Sequence, residues 1–189
     1  QLDTWRDDAM AALPQPLPSA DDLATLQYTG GTTGLPKGVN NSHGQMTVNI
    51  SQREDRLPTR LDDESVLCVM PLFHVFAVAM CLHLTAYCRG RLIILPRYRP
   101  DLVFTAIAEH AITRLPAGPT IFIGLMGAEG FADTDFSNLR SAYSGSAPLP
   151  GETLKAWQAA TGCPVLEGFG QTEAGPVLTY IGEGMEIVP

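Results

Sequence analysis

Short apolar runs alternate with helix-length stretches along this chain, and that alternation restricts its fold more than any other feature. The runs 66–70, 91–95, 112–115, 141–144 and 165–168 have strand length. The first is apolar throughout and contains β-branched residues, as a strand buried on both faces does. Between these runs the pattern predicts helices over 43–57, 74–88, 102–110, 119–128 and 150–161. Pro71 and Pro96 end strands, Gly90 and Gly162 close helices, and Asp101 is placed to cap one. A further short strand, 24–28, leads into a loop rich in glycine and threonine. Each strand–helix unit is roughly 30 residues long, the size of a βαβ unit. The expected fold class is therefore α/β, a mostly parallel sheet with helices on both faces. In such sheets ligands bind at the carboxyl ends of the strands. The loops after Tyr28, Ser144 and Gly168 become the candidate site.

Composition narrows the partners. The 189 residues are 45% hydrophobic, enough for a sizeable core. The net charge is -8, which repels phosphate backbones over long range, so no nucleic-acid partner is expected. A small polyanion can still bind where backbone amides, a lysine or a metal ion converge. The four cysteines show neither CxxC pairing nor zinc spacing and read as buried free thiols. Cys81 and Cys88 are spaced to share a helix face. The most apolar stretch, 75–88, is short for a membrane span and contains His83, so it reads as a buried helix with no transmembrane segment. A cytoplasmic location is expected, with peripheral association to a membrane left open. Residues 1–20 read as a lead-in segment, with a short helical pattern before a proline-rich run, and 21–189 as a partial domain core. A start at Gln1 and a finish at Pro189 suggest a fragment of a longer protein.

Four strings carry chemistry. The first is Tyr28-Thr29-Gly30-Gly31-Thr32-Thr33-Gly34-Leu35-Pro36-Lys37-Gly38-Val39. Its glycines let backbone amides turn towards a ligand, the hydroxyls of Thr29, Thr32 and Thr33 can donate to phosphate oxygens, and Lys37 adds positive charge. A plain hairpin turn would explain one glycine pair but not this string. The Walker pattern is excluded, because Lys37 is followed by Gly38 rather than Ser or Thr, which disfavours a kinase or GTPase. The second string, Pro71-Leu72-Phe73-His74-Val75-Phe76-Ala77, puts a histidine at a helix start, where it caps the helix or meets a substrate. The third is Tyr143-Ser144-Gly145-Ser146-Ala147-Pro148-Leu149-Pro150, whose small residues let a flat ring lie against the backbone; a plain strand-to-helix turn reads equally well. The fourth is Glu167-Gly168-Phe169-Gly170-Gln171-Thr172-Glu173, which offers an aromatic face for a base, a hydroxyl for phosphate and a hard carboxylate for Mg²⁺.

Together and in this order, the four strings resemble the signatures of the acyl-adenylate-forming, or AMP-binding, superfamily, and look most like fatty acyl-CoA ligases. The likeness spans roughly residues 24–180. It implies part of the acyl-CoA synthetase-like N-terminal domain and three cofactors or co-substrates: ATP, Mg²⁺ and coenzyme A. By resemblance, residues 29–34 and Lys37 hold the phosphates, and Gly145, Ser146, Ala147 and Pro148 contact adenine. Phe169, flanked by Gly168 and Gly170, stacks on adenine; many relatives carry Tyr there. Thr172 bonds the α-phosphate and Glu173 ligates Mg²⁺. His74 lies beside the acyl pocket. Lys37, His74, Thr172 and Glu173 are thus the expected catalytic set.

The family reaction joins a carboxylic acid to AMP and then to a thiol. The family also uses an Asp for the ribose, a hinge and a lysine on a mobile C-terminal domain. None of these has a match in the 189 residues, so this piece is expected not to adenylate efficiently alone. Amino-acid-activating relatives place an Asp where this chain has 75–78; its absence and the apolar 75–88 and 119–126 stretches favour a long-chain fatty acid, ahead of medium-chain or aryl acids. Those stretches also read as simple core. A non-catalytic nucleotide-binding or interaction module is the alternative class, and an oligomer is left open.

Overall fold

The computed structural model describes residues 16–30 and 34–182. Its main sheet has six strands: β3 (Ser65–Cys68), β4 (Arg91–Ile94), β5 (Arg114–Ala117), β6 (Ser141–Ser144), β7 (Val165–Gly170) and β8 (Val177–Tyr180). Their spatial order is β4-β3-β5-β6-β7-β8. The first five run parallel and β8 returns antiparallel along β7.

Strand side chains alternate between two cores, as the pleat requires. Leu67, Leu115, Ala142 and Val165 face one cluster. It is filled by α4 (Pro100–His110), α5 (Pro119–Met126) and α6 (Gly151–Thr161). At its centre Trp157 is fully buried and meets Phe122 edge-on, with ring centroids 4.9 Å apart. Val66, Cys68, Tyr143 and Leu166 face the other cluster. That face is covered by the segment 75–88 and by Leu57, which follows α1 (His43–Arg56). Helices therefore lie on both faces, as the alternation predicts. All four cysteines are buried and free. No helix among the described residues is long and apolar enough to cross a membrane.

Several expectations need correction. The strand near Tyr28 does not join the parallel sheet. It is β1 (Leu23–Thr29), paired antiparallel with β2 (Lys37–Ser42) in a separate two-stranded sheet. A parallel crossover needs a dozen or more residues, and the connection between these strands is too short for one. The turn at 175–176 hides the return strand β8. The segment 74–88 is not one regular helix: α2 (Val75–Ala77) passes into a π-helical stretch (Val78–His83) and then α3 (Leu84–Cys88). Arg53 of α1 donates to the Ala79 carbonyl of that stretch at 2.9 Å.

At the close of α3 the left-handed residue is Arg89, φ 54°, rather than Gly90. Gly90 is needed for another reason: a Cβ there would lie 2.6 Å from the Glu64 carbonyl oxygen. Asp101 is not the cap of α4. Arg99 holds the N-cap position, Pro100 starts the helix, and Asp101 sits in the first turn accepting from Arg99 Nε at 2.9 Å. Strand β5 falls two residues later than expected and runs through Pro116. The lead-in helix pattern lies outside the described residues.

At the amino ends of the strands a buried ion pair locks the sheet. Arg114 donates to Glu64 at 2.8 Å and to the Pro58 carbonyl at 3.0 Å. Thr113 also donates to the Glu64 carboxylate. Both Arg114 and Glu64 are almost wholly buried.

Candidate nucleotide and acid site

The carboxyl ends of β6 and β7 carry the third and fourth strings. After β6 the chain turns through Gly145 and Ser146. Ser146 has φ 71°, an unusual conformation for a residue with a side chain, of the kind often kept at functional turns. Gly145 packs on the ring of Phe76; an added Cβ would lie 3.2 Å from it. At the end of β7, Gly168 pairs with Tyr180 across the strands, and a Cβ on Gly168 would meet the tyrosine ring at 2.4 Å. Gly170 is held equally close, with its notional Cβ 2.4 Å from the Pro176 carbonyl oxygen. Both glycines are thus dictated by the approach of β8. Phe169, between them, leaves 58% of its surface exposed. A large exposed ring at the end of a central strand is a binding surface in waiting.

Thr172 and Glu173 follow in a 3₁₀ turn, Thr172–Ala174. Two asparagines hold this segment. Asn41 of β2, almost fully buried, donates from Nδ2 to the Thr172 carbonyl at 3.3 Å. Asn49 of α1 donates to the Val177 carbonyl at 2.7 Å. The hairpin therefore leans on the very turn that carries Thr172 and Glu173.

Two adjoining cavities result. One, of about 220 Å³, is lined by His74, Val75, Phe76, Gly145, Ser146, Phe169, Thr172 and Tyr180, among others. The second, about 560 Å³, is lined by Ser146, Ala147, Pro148, Glu167, Phe169 and Tyr180, among others. Gly168 and Gly170 line both. Burial pushes the Tyr180 hydroxyl well above the ordinary tyrosine range, so it stays protonated.

His74 is exposed and caps α2: its Nδ1 accepts from the Phe76 backbone N–H at 3.2 Å. With Nδ1 used as an acceptor, the neutral ring carries its proton on Nε2. That N–H is the donor available to a substrate carboxylate. Capping and substrate contact are therefore compatible uses of one imidazole.

Nine expected site residues meet on these walls: His74, Gly145, Ser146, Ala147, Pro148, Gly168, Phe169, Gly170 and Thr172. The first string does not. Lys37 opens β2 opposite Thr29 and is exposed. Gly30 has open space where a Cβ would be, and Gly34 has φ 95°. Gly31, Thr32 and Thr33 lie outside the described residues. Glu173 is exposed on its turn and on neither wall. No cluster of three or more His, Cys, Asp or Glu side chains occurs among the described residues. A single exposed carboxylate still suits Mg²⁺, which keeps several waters and takes one or two carboxylates together with phosphate oxygens.

Sequence reading missed Asn41, Asn49 and Tyr180. The signal for Asn41 was present: a polar pair, Asn40-Asn41, inside a strand-like stretch, one member of which had to be buried. Nothing local marked Tyr180, whose role depends on β8 folding back over Gly168.

Known proteins match this chain over nearly all of it. The family described as AMP-binding enzyme matches residues 2–188. A long-chain-fatty-acid–CoA ligase from Bacillus subtilis strain 168 is 36% identical over 157 residues, 82% of this chain and 28% of that protein. The 4-coumarate–CoA ligase 5 of Oryza sativa subsp. japonica is 33% identical over 174 residues, 89% of this chain and 32% of its own length. Among solved structures, ATP-bound MatB from Rhodopseudomonas palustris matches with a TM-score of 0.81 at 31% identity, over 97% of this chain and 36% of that one. The chain thus spans less than a third of the length of either ligase.

Proposed function

This chain belongs to the AMP-binding enzyme family, and from that premise we propose that it forms the ATP-handling part of an acid–thiol ligase. A carboxylate oxygen attacks the α-phosphorus of ATP; the bond to pyrophosphate breaks, and pyrophosphate leaves. The thiol of coenzyme A then attacks the acyl carbon; the bond to AMP breaks, the thiol proton passes to solvent, and a thioester remains.

The observation that carries the reading is the exposed Phe169 on the larger cavity, which Ser146, Ala147 and Pro148 also line. A flat base fits between an aromatic ring and a small-residue turn. From there the α-phosphate falls towards Thr172, and the acid carboxylate towards His74 in the adjoining cavity. Thr172 donates its hydroxyl to phosphate, and His74 orients the attacking carboxylate through Nε2–H. Lys37 and the glycine-rich turn hold the β- and γ-phosphates. Glu173 would hold Mg²⁺, whose charge stabilises the phosphate oxygens when bound. Donors placed in advance in this way stabilise charge as it develops on those oxygens.

For the acid, the fatty class is supported by the name of the Bacillus subtilis relative, while the apolar 75–88 segment packs largely on the sheet as core. The name of the rice relative favours an aryl acid as the second reading. These 189 residues alone are expected to bind nucleotide without full-rate turnover, because the family's ribose Asp, hinge and late lysine have no match among them.

The test is pyrophosphate exchange by the full-length chain, across acids of differing length and aromaticity, with hydroxylamine trapping of the mixed anhydride. Exchange that depends on a carboxylic acid is the expected result. ATP binding with no exchange for any acid would replace the ligase reading with a nucleotide-binding module.

A further inference from the structure

Tyr180 stands at a position that no string in the sequence marked. Its ring packs closely against Gly168, and its hydroxyl donates to Sδ of Met80 at 2.7 Å. Met80 is fully buried in the π-helical stretch that follows His74. Tyr180 therefore ties the strand carrying Phe169 to the segment carrying His74. Three cavities are lined by this residue. They are the cavity of about 220 Å³ beside His74, the cavity of about 560 Å³ beside Phe169, and a third of about 520 Å³ between α1 and β8. Among the described residues, Tyr180 alone lines all three.

We propose that Tyr180 is a specificity-determining residue that ends the acid cavity and so limits the length of acid accepted. The inference rests on the ligase reading and deepens it. The cavity beside His74 is smaller than the 300 Å³ or so at which pockets for drug-sized ligands begin. It suits a compact or short acyl group whose far end abuts the tyrosine ring. The ring is held from two sides, by Gly168 below and Met80 at its tip, so it cannot swing away cheaply for a longer chain. Removing the ring opens that end of the His74 cavity towards the space between α1 and β8, walled by Val177 and Leu178 on the strand side and by Asn49, Gln52, Arg53 and Arg56 on the helix side.

The test compares butanoic, octanoic and hexadecanoic acids with the full-length chain and its Tyr180→Ala and Tyr180→Phe variants. Two quantities are read: kcat/KM for pyrophosphate exchange, and acid affinity by calorimetry without nucleotide. The unaltered chain should favour the shorter acids. Tyr180→Ala should raise the ratio of hexadecanoic to octanoic acid by about tenfold or more, the scale that one methylene commands in an apolar pocket. Tyr180→Phe keeps the ring and should leave that ratio within about twofold. If Tyr180→Ala does not fold, Tyr180→Leu reads the same ratio with apolar packing kept on Gly168. An unchanged ratio in a folded ring-deleted variant overturns the inference. Failure to turn over any acid overturns the ligase reading instead, and the calorimetric ranking still decides the role of Tyr180.

Discussion

Asn49 holds both backbone polar groups of Val177: its Nδ2 donates to the carbonyl at 2.7 Å and its Oδ1 accepts from the N–H at 3.3 Å. This pair docks the edge strand β8 onto α1, from a distant part of the chain. Cutting Asn49 back to Ala leaves two backbone groups without protein partners. A loss of about 1–3 kcal/mol in unfolding free energy is expected. Asn49→Asp keeps the acceptor but sets a carboxylate oxygen against the Val177 carbonyl, so at neutral pH it should lose at least as much as the Ala variant. Urea unfolding of the three proteins measures the order.

Phe169 leaves 58% of its surface exposed on the larger cavity, where the proposed base would cover it. Phe169→Ala should weaken ATP binding by about 1–3 kcal/mol, the usual loss for one base–aromatic stack. Phe169→Tyr keeps the face and should bind within about twofold of the original. Nucleotide titration by calorimetry separates these outcomes, and equal affinity for all three would remove Phe169 from the site.

Lys37 and Glu173 are exposed and line neither cavity, so their loss should spare the fold. Lys37→Ala and Glu173→Gln should each lower kcat for pyrophosphate exchange about 10²–10³-fold, the range for one lost electrostatic stabiliser. Thermal midpoints should move little. For Glu173→Gln, raising the Mg²⁺ concentration should recover part of the rate. No recovery would argue that the carboxylate does not hold the metal.

Glu64 gives the protein an acid limit. Burial alone pushes its carboxyl up, but hydrogen bonds from Arg114, Thr113 and the Arg60 backbone, with the Arg114 charge, outweigh burial and hold it below the usual range. The unfolded carboxyl takes its proton near pH ~4.3 and the folded one at lower pH. The stabilisation is therefore whole above about pH 4.3 and is lost as pH falls through the folded value. Glu64→Gln strands the buried Arg114 and should cost about 3 kcal/mol at neutral pH. Below about pH 4.3 its stability should fall less steeply than that of the unaltered protein. Unfolding curves between neutral pH and about pH 3 test both the offset and the slope.

Much of the fold was legible because its signals are local. The apolar starts at 66–68 and 165–166 match the buried parts of β3 and β7, and Gly162, φ 69°, closes its helix where a left-handed residue was expected. Where two residues could serve, the local signal misled. Arg89 took the left-handed place foreseen for Gly90, and Arg99 the cap foreseen for Asp101. Both outcomes were set by partners distant in sequence or by the neighbouring proline. The π-helical stretch at 78–83 had no local signal; Arg53 reaches across from α1 to its Ala79 carbonyl.

By itself the sequence determined the α/β class, the two-sided core and the chemical kinds of residue offered for a nucleotide: a glycine and threonine string, a lysine, an aromatic ring, a hydroxyl and a carboxylate. Those depend on residue type and order, which a chain carries before it folds. Only the tertiary structure decided that the first string lies at a separate hairpin, that Asn41 binds this hairpin to Thr172, and that Tyr180 lines three cavities. Each of these is a contact between segments far apart in the chain, fixed by the antiparallel return of β8 and the docking of α1, and no short stretch of residues encodes it alone.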